Sequence, residues 1–485
     1  MEKDYLPKNL EDEYYTEHHS IKKIGAGGQG FVLKTENPLV VIKISTDNNG
    51  SPITEKNNTN EFKRQKKRFE NLRILPLPEG IHISAPVAVL NDYAGYVMQF
   101  MEDMMPLSNL DILKIENYPE WLVGKNPLAE ISEAQKLLAS YCESGGLRKR
   151  LFILGQAASV LAELHSAGLV YCDVSNNNIF VTNDVDFETP NVWLIDADNI
   201  FISSADTKRG NFVYTPRYVA PEVFLGQSAC TQASDIYAFA ICAFEKLTLV
   251  YPFSGAETEN WDDDDDWDKS TNNTATSDPD VKINSGAADW IWAEEGTNST
   301  TNGLPPQLTL TDTLFKLFEK TFQKGRKNPA IRPTALLWRK AFFEACDLTL
   351  QCPDCKMSWY YDGENNICPY CENKIKKIIT IKENNKTIFA HELIPNKQIN
   401  IVHERLAFAN FDNSRKIFLS LSLDKNQMLN LELNNFNEYK VLIDQKNNKK
   451  SISIRTIMPC ENFFLTIEYE NRCRVFNIIF NKEEL

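Results

Sequence analysis

The chain has 485 residues, 42% of them hydrophobic and 11% aromatic, with 52 Lys+Arg against 66 Asp+Glu and a formal net charge of −14. This composition excludes wholesale disorder, supports about three domains with real cores, and argues against a nucleic-acid partner. No apolar run approaches the roughly 20 residues of a membrane helix. The acidic start MEKDYLPKNLEDEYY has neither part of a signal peptide, so a soluble, unexported, cytoplasmic protein without membrane association is expected.

Residues 1–20 read as a charged leader. Over 21–102 the runs FVLK, VVIKIS and YVMQFM read as strands, interrupted by the helical EFKRQKKRFENLRIL. Over 103–348 the periodicity is helical, which predicts a second lobe. Within it, 256–304 is poor in aliphatic residues and contains the acidic run Trp261–Trp267, so a mobile acidic insertion is expected. Cysteines cluster in 349–375, and alternation returns over 376–485, predicting an all-β C-terminal domain.

Four stretches carry candidate chemistry. Gly25, Gly27 and Gly30, followed by Val32, lie between strand runs, where a glycine hairpin brings backbone amides close to phosphate oxygens. A strand follows where a Rossmann fingerprint needs a helix, and no Gly-Lys-Ser/Thr follows as in a Walker loop. Lys43 ends an apolar strand, where it can snorkel or be aimed at phosphates. The second role requires a carboxylate to hold it. Glu70 and Glu61 on the next predicted helix are the candidates, and Glu70 is preferred because Ile74 one turn later offers packing. In the loop after Leu169-Val170, Asp173 can orient a hydroxyl nucleophile, and Asn178 can bind a metal through its carbonyl oxygen. Asp196 ends a buried strand and fits a Mg²⁺ ligand.

The order GxGxxGxV, VVIK, Tyr171-Cys172-Asp173 with Asn178, a strand ending in Asp196, and Ala220-Pro221-Glu222 resembles the protein-kinase signature set over about residues 20–348. The resemblance implies a bilobal α+β fold, a β-rich N-lobe (21–102) and a helical C-lobe (103–348). It implies ATP bound between the lobes under Gly25–Gly30, adenine near Met98, and Mg²⁺ on Asn178 and Asp196. Transfer of the γ-phosphoryl group to Ser or Thr hydroxyls of protein substrates follows. It also implies that Thr215 contacts Asp173 and that Glu222 pairs with Arg332. Three departures stand out. Tyr171-Cys172 replaces His-Arg, Ser175 replaces a lysine, and Asp196-Ala197-Asp198 replaces Asp-Phe-Gly. Ser175 and Ala197 favour, as the alternative, a nucleotide-binding pseudokinase scaffold acting through its C-terminal domain. The stretches GLVYCDVSNNNIFV and NVWLIDADNIF are similar to a bacterial kinase subgroup of tellurite and stress-resistance systems. That likeness implies phosphatase and von Willebrand-type partners.

Cys352, Cys355, Cys368 and Cys371 form CxxC-x12-CxxC, two knuckles able to close a tetrahedral thiolate site. Structural Zn²⁺ in a zinc ribbon is expected ahead of rubredoxin-type iron or a redox Cys-Pro-Tyr-Cys.

Overall fold

In the computed structural model the described residues are 22–27, 30–35, 37–111, 115, 118–124, 131–182, 191–203, 215–258, 279–408, 415–434, 438–446, 448–452 and 454–481. The expected leader, Gly28 of the glycine hairpin and the run Trp261–Trp267 lie outside them. The chain divides into two compact units. One comprises Met1–Asn109, Gln156–Gly303 and Lys316–Arg339; the other comprises Leu110–Gly155, Leu304–Phe315 and Lys340–Leu485. Among the described residues no helix is long and apolar enough to cross a membrane.

The first unit begins with strands β1 (Lys22–Gly27), β2 (Gly30–Lys34), β3 (Val40–Ser45), β4 (Pro86–Val89) and β5 (Gly95–Gln99), in sheet order β1-β2-β3-β5-β4. All pairings are antiparallel, so residues opposite each other share a face. The pairs Val32↔Lys43, Lys43↔Tyr96 and Val41↔Met98 therefore place Val32, Val41, Lys43, Tyr96 and Met98 on one side. Phe31, Leu33, Ile42, Ile44 and Val97 point to the other, where they pack with Leu90 and Tyr93. Gly30 has φ +155°, and a Cβ there would meet the Ile44 carbonyl oxygen at 2.3 Å. The hairpin needs glycine at this position because the neighbouring strand passes so close.

Helix α1 (Thr59–Arg73) starts at Asn58, whose side chain accepts from the Glu61 amide at 3.2 Å. Its inward face is Phe62, Phe69 and Leu72, with Phe69 set edge-on to Tyr96 at 4.9 Å. Ile74, the expected packing residue, caps the helix and is 73% exposed.

The helical part of the first unit centres on the helix Gln232–Thr248, opened by a reciprocal Thr231–Ser234 capping box and buried along most of its length. Phe244 packs edge-on to Phe318 at 5.3 Å and to Trp290 at 6.0 Å. Residues 279–303 thus depart from the expected mobile insertion. Trp290 is 1% exposed, and buried Asn298 donates to the carbonyls of Phe253 and Asp289 while accepting from the amides of Glu257 and Thr258. Tryptophans and one satisfied amide supply here the core that scarce aliphatics could not.

Glu222 and Arg332 meet as a buried bidentate pair, with Nη1–Oε1 at 2.7 Å and Nη2–Oε2 at 2.8 Å. Arg332 also donates to the carbonyls of Gly325 and Ala233. Removing one partner strands a buried charge. Glu222→Gln is accordingly expected to cost about 3–5 kcal/mol, read as a lower urea midpoint at unchanged slope.

The second unit contains two antiparallel sheets C-terminal to residue 376. One has six strands from within Ile378–Asn481, the other four from within Gln398–Pro459. Ile379, Ile381 and Phe476 of the first share one core with Leu419, Leu421 and Leu431 of the second. This unit also takes residues 110–155 from the helical region, away from the expected boundaries. The reason is visible at Arg148. Its guanidinium grips both oxygens of Glu392, at 2.7 and 2.8 Å, and reaches Thr349 Oγ1 at 2.9 Å. Burial disfavours the Glu392 carboxylate, but Arg148 outweighs it and holds its pKa down at about 2. A depressed carboxylate stabilises the fold above its unfolded pKa of about 4.5, and that contribution disappears as pH falls through about 2. The full chain should therefore melt well above Glu392→Gln at pH 7, with the gap in Tm shrinking steadily between pH 4 and pH 2.

Candidate active site and four-cysteine cluster

The loop following the strand Leu169–Val170 is held by its backbone. Asp235, at the start of Gln232–Thr248, accepts from the amide of Tyr171 at 2.7 Å and of Cys172 at 2.8 Å, and contacts His165 Nε2 at 3.0 Å. Cys172 takes φ +73°, a left-handed turn that leads into Asp173. The carboxylate of buried Asp173 then accepts three hydrogen bonds among the described residues. Oδ1 accepts from the amide of Thr215 at 3.0 Å and its hydroxyl at 2.7 Å, and Oδ2 accepts from Asn178 Nδ2 at 3.0 Å. Asn178 spends its amide nitrogen on Asp173, so its carbonyl oxygen is the atom with capacity for a metal. Its backbone carbonyl accepts from Ile195 N at 3.0 Å, which ties this loop to the strand Val192–Leu194 and to Asp196. The Tyr171 hydroxyl donates to the Ile195 carbonyl, a second tie across the same gap. Ser175 is fully buried with its hydroxyl unpartnered among the described residues.

Across the site, buried Lys43 donates to Asp196 and, at 2.8 Å, to Asp198 Oδ2. Asp196 sits in the left-handed region at φ +59° and is half-buried; Asp198 is 4% exposed. The Tyr96 hydroxyl donates to Asp198 Oδ1. From α1, Arg68 donates through Nε to the Asp198 carbonyl and through Nη2 to Asn199 Oδ1, both at 2.8 Å. Burial works against the Lys43 ammonium, but Asp198 and Asp196 outweigh it and hold its pKa above the ordinary lysine value. Burial likewise works against the Asp198 carboxylate, yet Lys43, the Tyr96 hydroxyl and Arg68 keep its pKa below the ordinary value. Burial pushes the pKa of Asp196 up; Lys43 opposes this, while the charges of Asp198 and Asp173 add to it.

The structure thus brings Lys43 to Asp196, and Asp173 to Asn178 and Thr215. Val32 and Met98 share the sheet face of Lys43. Gly25, Gly27 and Gly30 lie in the β1–β2 hairpin, with Gly27 opposite Gly30. It does not bring Glu70 to Lys43. Glu70 is exposed, because the buried face of α1 runs through Phe62, Phe69 and Leu72 and turns position 70 outward. Glu61 is committed to Arg64 at 2.7 Å and Gln65 at 2.8 Å. Asp198, Tyr96 and Arg68 were missed. In the sequence Asp198 stands out only as part of the Asp196-Ala197-Asp198 stretch that replaces Asp-Phe-Gly.

The profile of the protein kinase domain matches residues 123–336. The chain carries a protein kinase domain. Asp173, Asn178, Asp196, Thr215, Glu222 and Arg332 lie inside the match, while Lys43 lies in the sheet that precedes it. A 109-residue segment is 32% identical to serine/threonine-protein kinase PknA of Mycobacterium tuberculosis (strain ATCC 25618 / H37Rv), covering 22% of this chain and 24% of that protein. A 120-residue segment is 31% identical to serine/threonine-protein kinase dkf-2 of Caenorhabditis briggsae, covering 24% and 10%. A 154-residue segment is 25% identical to serine/threonine-protein kinase kin-29 of Caenorhabditis elegans, covering 29% and 18%. The chain spans about a tenth to a quarter of the length of these relatives. The N-terminal sheet, the helical region and the C-terminal β-sheets agree with the fold expected from the sequence.

In the second unit the four cysteine sulfurs lie within 4.8 Å of one another. The closest approaches are Cys352–Cys371 at 3.5 Å and Cys355–Cys368 at 3.6 Å. A tetrahedron of thiolates at the usual 2.3 Å from zinc has edges of about 3.8 Å, so the cluster has the right size. Both knuckles are built alike. The amide of the residue after each pair, Lys356 or Glu372, donates to the first cysteine's carbonyl, at 3.1 and 3.0 Å. Both residues take a left-handed φ, +61° and +60°. Cys352 and Cys368 are fully buried beside Leu350, Trp359 and Ile375.

Proposed function

We propose that the chain is an ATP- and Mg²⁺-dependent protein kinase transferring the γ-phosphoryl group to Ser or Thr hydroxyls of protein substrates. The observation that carries this reading is the convergence of Lys43 and Asp196 with an Asp173 held on both oxygens by Thr215 and Asn178. Asp173 is the only one of these carboxylates bonded to Thr215 and Asn178 instead of Lys43 among the described residues, so it serves as the group that orients the incoming hydroxyl and accepts its proton. Lys43 binds phosphate oxygens and is kept charged by its carboxylate partners. Asp196 and the carbonyl oxygen of Asn178 are hard oxygen donors suited to Mg²⁺. When bound, Mg²⁺ supplies charge neutralisation on the transferring phosphoryl group. Val32 and Met98 line the sheet face toward the nucleotide.

The cysteine cluster takes structural Zn²⁺ in this reading, its four sulfurs offering no open position. Family resemblance adds bacterial stress or defence signalling as the setting, with phosphatase and von Willebrand-type proteins as partners. The test is phosphate transfer from labelled ATP by the full chain, wild type against Asp173→Ala. Transfer by wild type and its loss in the variant are expected. Nucleotide binding without any transfer by wild type supports the pseudokinase scaffold instead, which the buried, uncharged Ser175 favours.

A further inference from the structure

We infer that Asp198 holds the phosphate-binding lysine, in place of a glutamate on α1, and that α1 acts on the site through Arg68. This rests on the kinase reading and names the positioning residue of that same site. Lys43 must be steered by an anion that stays on it when Asp196 turns to a metal. Helix α1 supplies none: Glu70 is exposed, and Glu61 is bound to Arg64 and Gln65. Asp198 fits on four counts. It is 4% exposed and bonds Lys43 at 2.8 Å. Its other oxygen is taken by the Tyr96 hydroxyl, so the carboxylate is oriented from two sides. Tyr96 stands opposite Lys43 in the β3–β5 pairing, so the sheet sets the spacing of donor and ammonium. Finally, Arg68 grips the Asp198 carbonyl and the Asn199 side chain, fixing the turn that carries the carboxylate.

The arrangement has a mechanistic consequence. Where an α-helical glutamate holds the lysine, swinging the helix breaks the pair directly. Here the anion belongs to the segment that also carries the metal ligand Asp196, two residues away. Lysine and metal are thus positioned by one short turn, and α1 controls both by holding or releasing that turn through Arg68. Ala197, fully buried between the two aspartates, keeps the turn pinned to the core.

The test measures Mg-ATP affinity and the kcat and KM for ATP of the full chain in parallel. Asp198→Asn should weaken ATP binding and lower kcat/KM by about ten- to a hundredfold, the range for a hydrogen bond to a charged group. Asp198→Asn made on Lys43→Met should add nothing further, because the residue acts only through the lysine. Tyr96→Phe and Arg68→Ala, which leave the Asp198 carboxylate in place, should give smaller losses of the same kind. Glu70→Gln and Glu61→Gln should match wild type. Melting temperatures of the variants, read alongside, show that the fold is kept. The proposal is overturned if Glu70→Gln or Glu61→Gln reproduces the loss while Asp198→Asn is silent, or if the losses at Lys43 and Asp198 add. Wild type that binds ATP but transfers no phosphate overturns the kinase reading and leaves the affinity comparison to decide this one. Wild type that binds no Mg-ATP overturns both.

Discussion

Replacing Lys43 by methionine is expected to cut phosphate transfer by about a thousandfold, with the fold intact. The lysine is buried, and its ammonium is the cation bonded to Asp196 and Asp198. A preorganised charge in a dry site acts far more strongly than in water, and loss of one such group costs about 10²–10³ in kcat in other enzymes. Methionine keeps the stem's packing and discards only the charge, so the comparison isolates electrostatics. Buried Asp198 and half-buried Asp196 then lose the ammonium they share, and Arg68 is left beside Asp198. Steady-state transfer from Mg-ATP, with a melting curve of each protein, checks the expectation. A variant within threefold of wild type would remove Lys43 from the proposed site.

The second large effect is expected from metal removal. Metal content of the purified chain should be about one zinc per molecule, falling to near zero in Cys371→Ser. Apparent binding energies of structural zinc are about 10–16 kcal/mol, far more than the contacts of so short a segment can replace. Chelation should therefore melt the strands Thr349–Gln351 and Ser358–Tyr360, whose flanking cysteines close the cluster. It should also lower the stability of the second unit, because Leu350 and Trp359 share a core with Ile378 and Ala390. Thermal melts with and without a strong chelator read this directly. Equal melting temperatures would show that the cysteines serve as buried thiols and not as a metal site.

Much of the site was legible because each residue sits at an abrupt change in the sequence. Lys43 and Asp196 end apolar strands, Asp173 and Asn178 fall in a polar loop between two apolar runs, and the cysteines repeat a short spacing. The bidentate Glu222–Arg332 pair was legible through family resemblance and is present in the structure. What could not be read were partnerships set by tertiary packing. Lys43 and Asp198 lie 155 positions apart, and nothing local says that Asp198 faces inward while Glu70 faces water. Preferring Glu70 rested on Ile74 packing inward, but the helix ends there and leaves Ile74 in solvent. Residues 279–303 misled differently. Their few aliphatics suggested a chain with nothing to bury, whereas Trp290, Ile291 and Asn298 are buried. Composition counts residue types and cannot weigh one tryptophan against several leucines.

The grip of Arg148 on Glu392 has a consequence for how the polypeptide is made. These residues are 244 positions apart, and Cys142, which donates to the Cys355 carbonyl, spans 213. On a ribosome adding roughly 5–20 residues per second, Arg148 waits about 10–50 seconds for its carboxylate to be synthesised. During that interval its neighbours on the helix Gly146–Ser166 expose apolar surface destined for residues not yet made, Gly155 against Phe343 among them. Between synthesis of residue 148 and of residue 392 the nascent chain thus carries that apolar surface uncovered, and a holding chaperone would act in that interval.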